Sequence, residues 1–276
     1  MAVQLIITDL DGTIIDEENK VPQRVSEAFL QARARGIPAV IATGRTLAES
    51  IEAQQQIGAD RYSITMNGAF IYDHYLQEIL NHDYIDRNRS KQMIRLLESF
   101  DDVFFQTYTN NQPVCSEKTF NLIHMAGSSP QIIQMYMVTQ KVVPNLIQYV
   151  EEANLEINKF YVTSQNIERL ALIKSYVNSI EGLRCLQSMP KGIEVLPTSV
   201  DKSHAVQLLC KHLGIDVSHT LMIGDSENDI GMLQLGGISV VMGNAPDHVK
   251  QYADWIAPTN NENGAAAAIE KFVLNA

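Results

Sequence analysis

The sequence predicts an α/β protein: a doubly wound, mostly parallel sheet with an α+β domain inserted into it. Three observations carry this. Short apolar runs such as Val3 to Ile7, Ile37 to Ala42 and Ile238 to Met242 alternate with segments whose apolar residues recur at helical spacing, the pattern of strands covered on both faces by helices. The alternation changes character in the middle third and resumes in the last. A length of 276 residues also exceeds one typical domain.

Taken in order, Val3 to Thr8 reads as a buried strand. Val21 to Arg35 reads as a helix with Val25, Ala28, Phe29 and Ala32 on one face and Gly36 as its stop. Ile37 to Ala42 is a second strand, followed by Thr43-Gly44-Arg45 and a helix through about Ile57. Ser63 to Met66 and Ala69 to Tyr72 flank Asn67-Gly68, a hairpin-type turn signal.

In the middle third, Met93, Leu96, Leu97 and Phe100, and then Val143, Leu146, Ile147 and Val150, stand at helical spacing, while Val103 to Thr109 and Ile157 to Thr163 read as strands. Those strands are polar on alternate residues, which leaves one sheet face for water or a neighbour. This predicts a separate domain over 83–187 inserted into a core formed by 1–82 and 188–276, with crossings near 80–86 and 186–192 and the core pattern resuming at Gly192 to Leu196. The final third then supplies a helix over Lys202 to Leu213, a strand over Thr220 to Gly224 and a helix over Glu227 to Leu235. A strand over Ile238 to Met242 and a closing helix over Glu262 to Val273 complete it.

Composition narrows the function. With 45% hydrophobic and 19% charged residues the chain is an ordinary globular protein, and no apolar run approaches the roughly 20 residues that cross a bilayer. The start Met1-Ala2-Val3-Gln4 has no basic leader, and the three cysteines, Cys115, Cys185 and Cys210, are widely spaced without a C-x-x-C. The expectation is a cytoplasmic protein with reduced thiols, no zinc site and no disulfide framework. A net charge of −11 argues against nucleic acid. Residues 83–187 hold 10 Lys+Arg against 11 Asp+Glu, so the acid lies in the rest of the chain, 11 against 21. A phosphorylated substrate would meet little repulsion from the insert, but the core would need a cation to receive it.

The chemistry concentrates at strand ends. Asp9-Leu10-Asp11-Gly12-Thr13 follows the first strand. Residues two apart on an extended segment point the same way, so Asp9 and Asp11 are expected to address one centre, with Gly12 allowing a tight turn. Ionised carboxylates at the edge of a core need a cation or a proton between them, which points to a hard ion with oxygen ligands, Mg²⁺ before others. An EF-hand is excluded, because Gly12 comes too early and a strand precedes the loop. Gly224-Asp225-Ser226-Glu227-Asn228-Asp229 follows the strand Thr220 to Ile223 in the same way. In a doubly wound sheet ligands bind beyond the carboxyl ends of strands where the order reverses, so Asp225 is expected beside Asp9 and Asp11. Thr43-Gly44 ends another strand and opens a helix, a place suited to an anionic oxygen. Lys202 stands just inside a further helix.

These motifs together resemble the haloacid dehalogenase superfamily of phosphoryl-transfer enzymes over the whole chain: DLDGT at Asp9 to Thr13, ATGR at Ala42 to Arg45, Lys202, and GDSENDIGML at Gly224 to Leu233. The likeness is closest to the Cof-type branch, with MNGAFIYD at Met66 to Asp73, MGNA at Met242 to Ala245 and NNENGAAAAI at Asn260 to Ile269. That branch carries an α/β cap inserted between its second and third motifs, and its Lys is commonly followed by Gly, where Ser203 stands here.

The resemblance implies a phosphatase of small phosphorylated metabolites, sugar phosphates or a phosphorylated cofactor, selected by the cap. Asp9 would be the nucleophile that forms an aspartyl-phosphate, and Asp11 the acid and base. Mg²⁺ would be held by Asp9, the backbone carbonyl of Asp11, and Asp225. Phosphate oxygens would be held by Lys202, Thr43, Asn228 and the backbone N–H groups of Leu10 and Gly44, with Asp229 orienting Lys202 or a water on the ion. Tyr108, Asn110, Asn111, Phe120, His124 and Lys159 are candidates for the substrate side of the insert. Two other readings use the same residues: a phosphotransferase or mutase that excludes water, and a non-catalytic phospho-Asp signalling module, against which the large insert and Asp11 argue.

Overall fold

A computed structural model describes residues 2–125, 130–189 and 191–275. The chain divides into two compact units, Met1–His82 with Val200–Ala276, and Asp83–Ser199.

The first unit is built on an eight-stranded sheet. Trp255–Ile256, Ile238–Val241, Thr220–Gly224, Leu5–Thr8, Ala39–Ala42 and Tyr62–Thr65 run parallel in that spatial order, and Phe70–Asp73 and Glu78–His82 extend the sheet as antiparallel strands. Side chains alternate across it, as the two-residue period of a strand requires. Ile6, Ile41, Ile223 and Val240 face a core with Val25, Phe29 and Ile269, while Leu5, Ile7, Val40 and Met222 face another with Val206, Leu209 and Met232. The apolar runs are therefore continuous because both faces are covered.

Leu5–Thr8 lies between Ala39–Ala42 and Thr220–Gly224, with Thr8 level with Ile223. From this strand the chain winds one way in its first third and the other way in its last. The carboxyl ends of these two neighbouring strands are thus the point where the order reverses and loops diverge. Two helices start there with firm caps. Thr46 and Glu49 form a reciprocal capping box at the start of Leu47–Ile57, and the Asp201 carboxylate accepts the Ser203 N–H at the start of Lys202–Leu213.

The second unit is a six-stranded sheet in the order Leu183–Met189, Gly192–Pro197, Lys159–Thr163, Phe104–Thr109, Gln112–Ser116, Lys141–Val143. One face packs Phe105, Phe160, Val162 and Ile193 against Met93, Leu97, Val150 and Ile173 of the helices Arg87–Glu98, Leu146–Glu152 and Ile167–Asn178. The alternate face, expected to meet water or a neighbour, is buried. Gln106, Tyr108, Lys159 and Tyr161 are all buried, with Tyr136 packed on the Phe104 and Tyr161 rings.

The second crossing departs from the sequence expectation. Gly192–Pro197, read as the return to the core, pairs antiparallel with both Lys159–Thr163 and Leu183–Met189, so the insert continues to Ser199. An apolar run has the same composition in either sheet, and only its pairing partners assign it. Cys115, Cys185 and Cys210 are free thiols. Among the described residues no helix is long and apolar enough to cross a membrane.

Candidate active site

The Asp9 N–H donates to the Ile223 carbonyl at 2.9 Å, so the loop leaving the first strand is fastened to the strand that precedes Asp225. The Asp9 side chain is buried and accepts a hydrogen bond from the Lys202 Nζ at 2.6 Å, and the same ammonium donates to Asp229 at 2.7 Å. Lys202 can be this deep because it is the first residue of its helix, held there by the Asp201 cap. Asp229 uses its other oxygen to accept the Asp225 and Ser226 N–H groups, both at 3.0 Å. Oxygens of Asp9, Asp225 and Asp229 all fall within 4.8 Å of one another. Sequence-distant carboxylates thus converge where the sheet order reverses.

Three carboxylates and one ammonium leave an excess of buried negative charge. Burial pushes the Asp9 carboxyl well above its ordinary range; Lys202 opposes this, and the Asp229, Asp225 and Asp11 charges add to it. Asp225 is pushed up to about 7 by burial and the Asp229 charge, against the pull of Lys202. Burial draws the Lys202 ammonium down, but Asp229 and Asp9 outweigh it and hold the group above its ordinary value. The cluster has too few positive charges of its own.

Gly12 shapes the opposite wall. It takes φ +73°, and a Cβ on it would run into the Asp225 carboxylate. The Thr13 hydroxyl donates to Asp225 at 3.2 Å, and the Asn244 amide donates to the Gly12 carbonyl at 2.9 Å and to Asp225 at 3.4 Å. Asn244 is in turn fixed by the Asn260 N–H at 3.0 Å. The C-terminal MGNA and NNEN segments therefore support the acidic loops.

Asp11 departs from the expectation that it points with Asp9. The strand ends at Thr8, the next residues form a turn, and strand alternation no longer applies. The Asp11 carboxylate is half exposed and is gripped by Arg45, Nε to Oδ2 at 3.0 Å and Nη2 to Oδ1 at 2.5 Å. Its carboxylate is therefore bound to Arg45 rather than to the Lys202 ammonium that holds Asp9 and Asp229. Arg45 also donates to Asn19 and to the Glu49 carbonyl.

Thr43 is fully buried, with its hydroxyl accepting the Arg45 N–H at 3.1 Å. Asn228 donates to Asn67 at 2.9 Å and accepts from the Ser226 hydroxyl at 2.6 Å. Arg45, Asn67, Asn244 and Thr13 join the site through contacts that their spacing does not disclose, although all four sit inside the quoted motifs. In the insert, Asn110 and Asn111 turn the hairpin between Phe104–Thr109 and Gln112–Ser116 with φ of 46° and 63°. The Lys159 ammonium lies 4.5 Å from the Tyr108 ring centroid and pairs with Glu194 at 2.7 Å.

An all-oxygen donor set, buried at Asp9 and Asp229 and half-buried at Asp225, short of positive charge and close enough for one ion, fits a hard divalent cation. A reversing parallel sheet that gathers acidic loops, an ammonium and a helix start at its strand ends is a setting suited to an enzyme that handles an anionic substrate. The chain belongs to the haloacid dehalogenase-like hydrolase family, whose sequence profile matches residues 6–269. It is 28% identical over 276 residues to the 5-amino-6-(5-phospho-D-ribitylamino)uracil phosphatase YcsE of Bacillus subtilis (99% of this chain, 96% of that one). It is 25% identical over 274 residues to the pyridoxal phosphate phosphatase YbhA of Escherichia coli (99% and 100%). A solved haloacid dehalogenase-like hydrolase from B. subtilis superposes with a TM-score of 0.83 at 25% identity, covering 97% of this chain and 99% of that one.

Proposed function

We propose that this protein is a Mg²⁺-dependent hydrolase that removes phosphate from small phosphorylated metabolites through an aspartyl-phosphate on Asp9. The observation that carries the reading is the buried Asp9–Lys202–Asp229 contact beside Asp225. A carboxylate approaching a phosphate dianion meets repulsion of about 4 kcal/mol per charge pair at 4 Å with an effective dielectric near 20, and this cluster is built to receive compensating positive charge. Asp9, Asp225 and the Asp11 backbone carbonyl would hold the ion. When bound it neutralises charge between nucleophile and substrate.

Asp9 attacks phosphorus, and the bond to the ester oxygen breaks as Asp11, turned away from Arg45 and carrying a proton taken up from water, gives that oxygen the proton. Asp11 then takes a proton from water, which attacks phosphorus and returns Asp9 as a free carboxylate with inorganic phosphate. Acid–base work of this kind is typically worth about 10² to 10⁴-fold. Lys202 keeps Asp9 in place and would neutralise one phosphate oxygen. Thr43, Asn228 and the Leu10 and Gly44 N–H groups would hold the other phosphate oxygens in line, since phosphoryl transfer is mostly positioning and charge stabilisation. Asp229 orients Lys202 and the Asp225 loop.

The relatives' named substrates, a phosphorylated ribitylaminouracil and pyridoxal phosphate, support a small phosphorylated metabolite, a phosphorylated cofactor or a sugar phosphate, selected by the insert. Phosphate release from a panel of such esters, with Mg²⁺ and with EDTA, tests the reading. Continuing turnover that needs Mg²⁺ and disappears in Asp9→Asn is expected. A single equivalent of phosphate per protein, or transfer to a second acceptor, overturns it.

A further inference from the structure

The turn Met66–Gly68, between the antiparallel strands Tyr62–Thr65 and Phe70–Asp73, has a backbone that a hairpin alone does not explain. Met66, Asn67 and Gly68 take φ of 51°, 58° and 101°. Gly adopts such values freely and Asn tolerates them, but for a long side chain such as Met66 they are rare. All three residues are buried. Strain of this kind persists only where the surroundings over-determine it.

Those surroundings are the phosphate side of the proposed site. The Met66 N–H donates to the Arg45 carbonyl and the Asn67 N–H to the Thr43 carbonyl, both at 2.9 Å, so the turn is stitched to the Thr43–Arg45 loop. The Asn67 Oδ1 accepts from Asn228 Nδ2 at 2.9 Å while Ser226 holds the Asn228 Oδ1 at 2.6 Å. Both ends of that amide are thereby held, and its second N–H is the group assigned to a phosphate oxygen. Gly68 backs onto the start of the Lys202 helix, where a Cβ would stand 2.5 Å from the Asp201 carbonyl oxygen and 3.1 Å from the Ala205 Cβ. One turn therefore touches all three segments that carry Thr43-Gly44, Lys202 and Asn228.

We propose that Asn67 is a positioning residue of the phosphate subsite, whose left-handed backbone and side-chain oxygen lock the Asn228 amide and the Thr43-Gly44 loop into one geometry. The proposal rests on the phosphatase reading. Asn67 acts through Asn228 and does not touch the reacting atoms, so its removal lowers phosphate affinity and turnover together while adding nothing once Asn228 is gone.

The test compares full-length, Mg²⁺-loaded wild type, Asn67→Gly, Asn67→Ala, Asn228→Ala and Asn67→Gly/Asn228→Ala. Hydrolysis of p-nitrophenyl phosphate and calorimetric binding of inorganic phosphate are measured below the transition of the least stable variant. Asn67→Gly keeps the backbone conformation and loses only the side chain. Its kcat/KM and phosphate affinity are expected to fall about 10 to 100-fold, the range for groups that orient a ligand's direct contacts. Asn67→Ala should match it in both while melting lower, because it also keeps the unfavourable φ. The double variant should equal Asn228→Ala within about twofold, as for residues acting through one another. Asn67→Gly within twofold of wild type in both measurements, or losses that multiply in the double variant, overturns the proposal. A wild type that binds phosphate but hydrolyses nothing sinks the phosphatase reading alone, and calorimetry still decides Asn67. A wild type that binds no phosphate overturns both.

Discussion

Asp225→Asn should stabilise the metal-free protein while abolishing its activity. The carboxyl of Asp225 is raised from 3.8 to about 7 by burial and by Asp229. A shift of about three units at ~1.4 kcal/mol each means that ionising this group in the folded state costs about 4 kcal/mol relative to the unfolded chain. The folded protein holds its proton more tightly than the unfolded one between pH 4 and 7. Stability therefore falls as pH rises through that window, and the penalty is fully expressed above pH 7. An asparagine keeps the shape and the oxygen that accepts from Thr13 and carries no charge. We expect a gain of about 2 to 4 kcal/mol at pH 8 and almost none at pH 4.

Trp255 is the single tryptophan and packs against Phe272 in the catalytic unit at 5.8 Å between ring centroids, so its fluorescence during urea unfolding reads that unit. With a slope near 2 kcal/mol/M the midpoint should move up by about 1 to 2 M in EDTA at pH 8. Mg²⁺ at 100 times its dissociation constant should raise wild type by about 2.7 kcal/mol and leave the variant where it is. A variant no more stable than wild type at pH 8, or one whose advantage is the same at pH 4, refutes the claim that uncompensated carboxylate charge defines this site.

The other expectations follow from single contacts. Asp9→Asn should lower phosphate release by about 10⁴-fold or more with an unchanged far-ultraviolet circular dichroism spectrum; measurable turnover well above that level removes Asp9 as nucleophile. Lys202→Met should destabilise by about 3 to 5 kcal/mol, because Asp9 and Asp229 are left buried without their shared partner, and a denaturation midpoint equal to wild type would contradict it. Gly12→Ala should weaken Mg²⁺ binding and cost at least ~1 kcal/mol for its φ of +73°, read by calorimetry and melting. EDTA should stop hydrolysis, and added Mg²⁺ should restore it; activity that survives exhaustive chelation excludes the ion from the reaction.

The parts of the fold that the sequence discloses are those whose signal is local. Lys202–Leu213 and Thr220–Gly224 fall where periodicity and apolar runs put them, because a helix face and a strand covered on both sides each write their burial into consecutive residues. Glu78–His82 carries no such signal, since it closes the sheet with exposed and half-buried side chains. The same limit moved the insert's end from 187 to Ser199: what assigns Gly192–Pro197 is its antiparallel register with Lys159–Thr163.

The site divides along the same line. Asp9 and Asp225 were legible because strand-end carboxylates in a reversing sheet have one place to meet. Asp11 was placed by strand alternation, which ceases at Thr8, so its contact with Arg45 could not be read from spacing. Asn67 illustrates a third case. Asn-Gly marks a tight turn by backbone preference alone, and that local reading holds, yet it exhausts neither the strain at Met66 nor the bond from Asn228 across the sheet's end. A left-handed residue is permitted by its own chemistry but maintained by its neighbours. When those neighbours are the loops that carry Thr43 and Asn228, the turn's conformation is tied to how the site holds an anion.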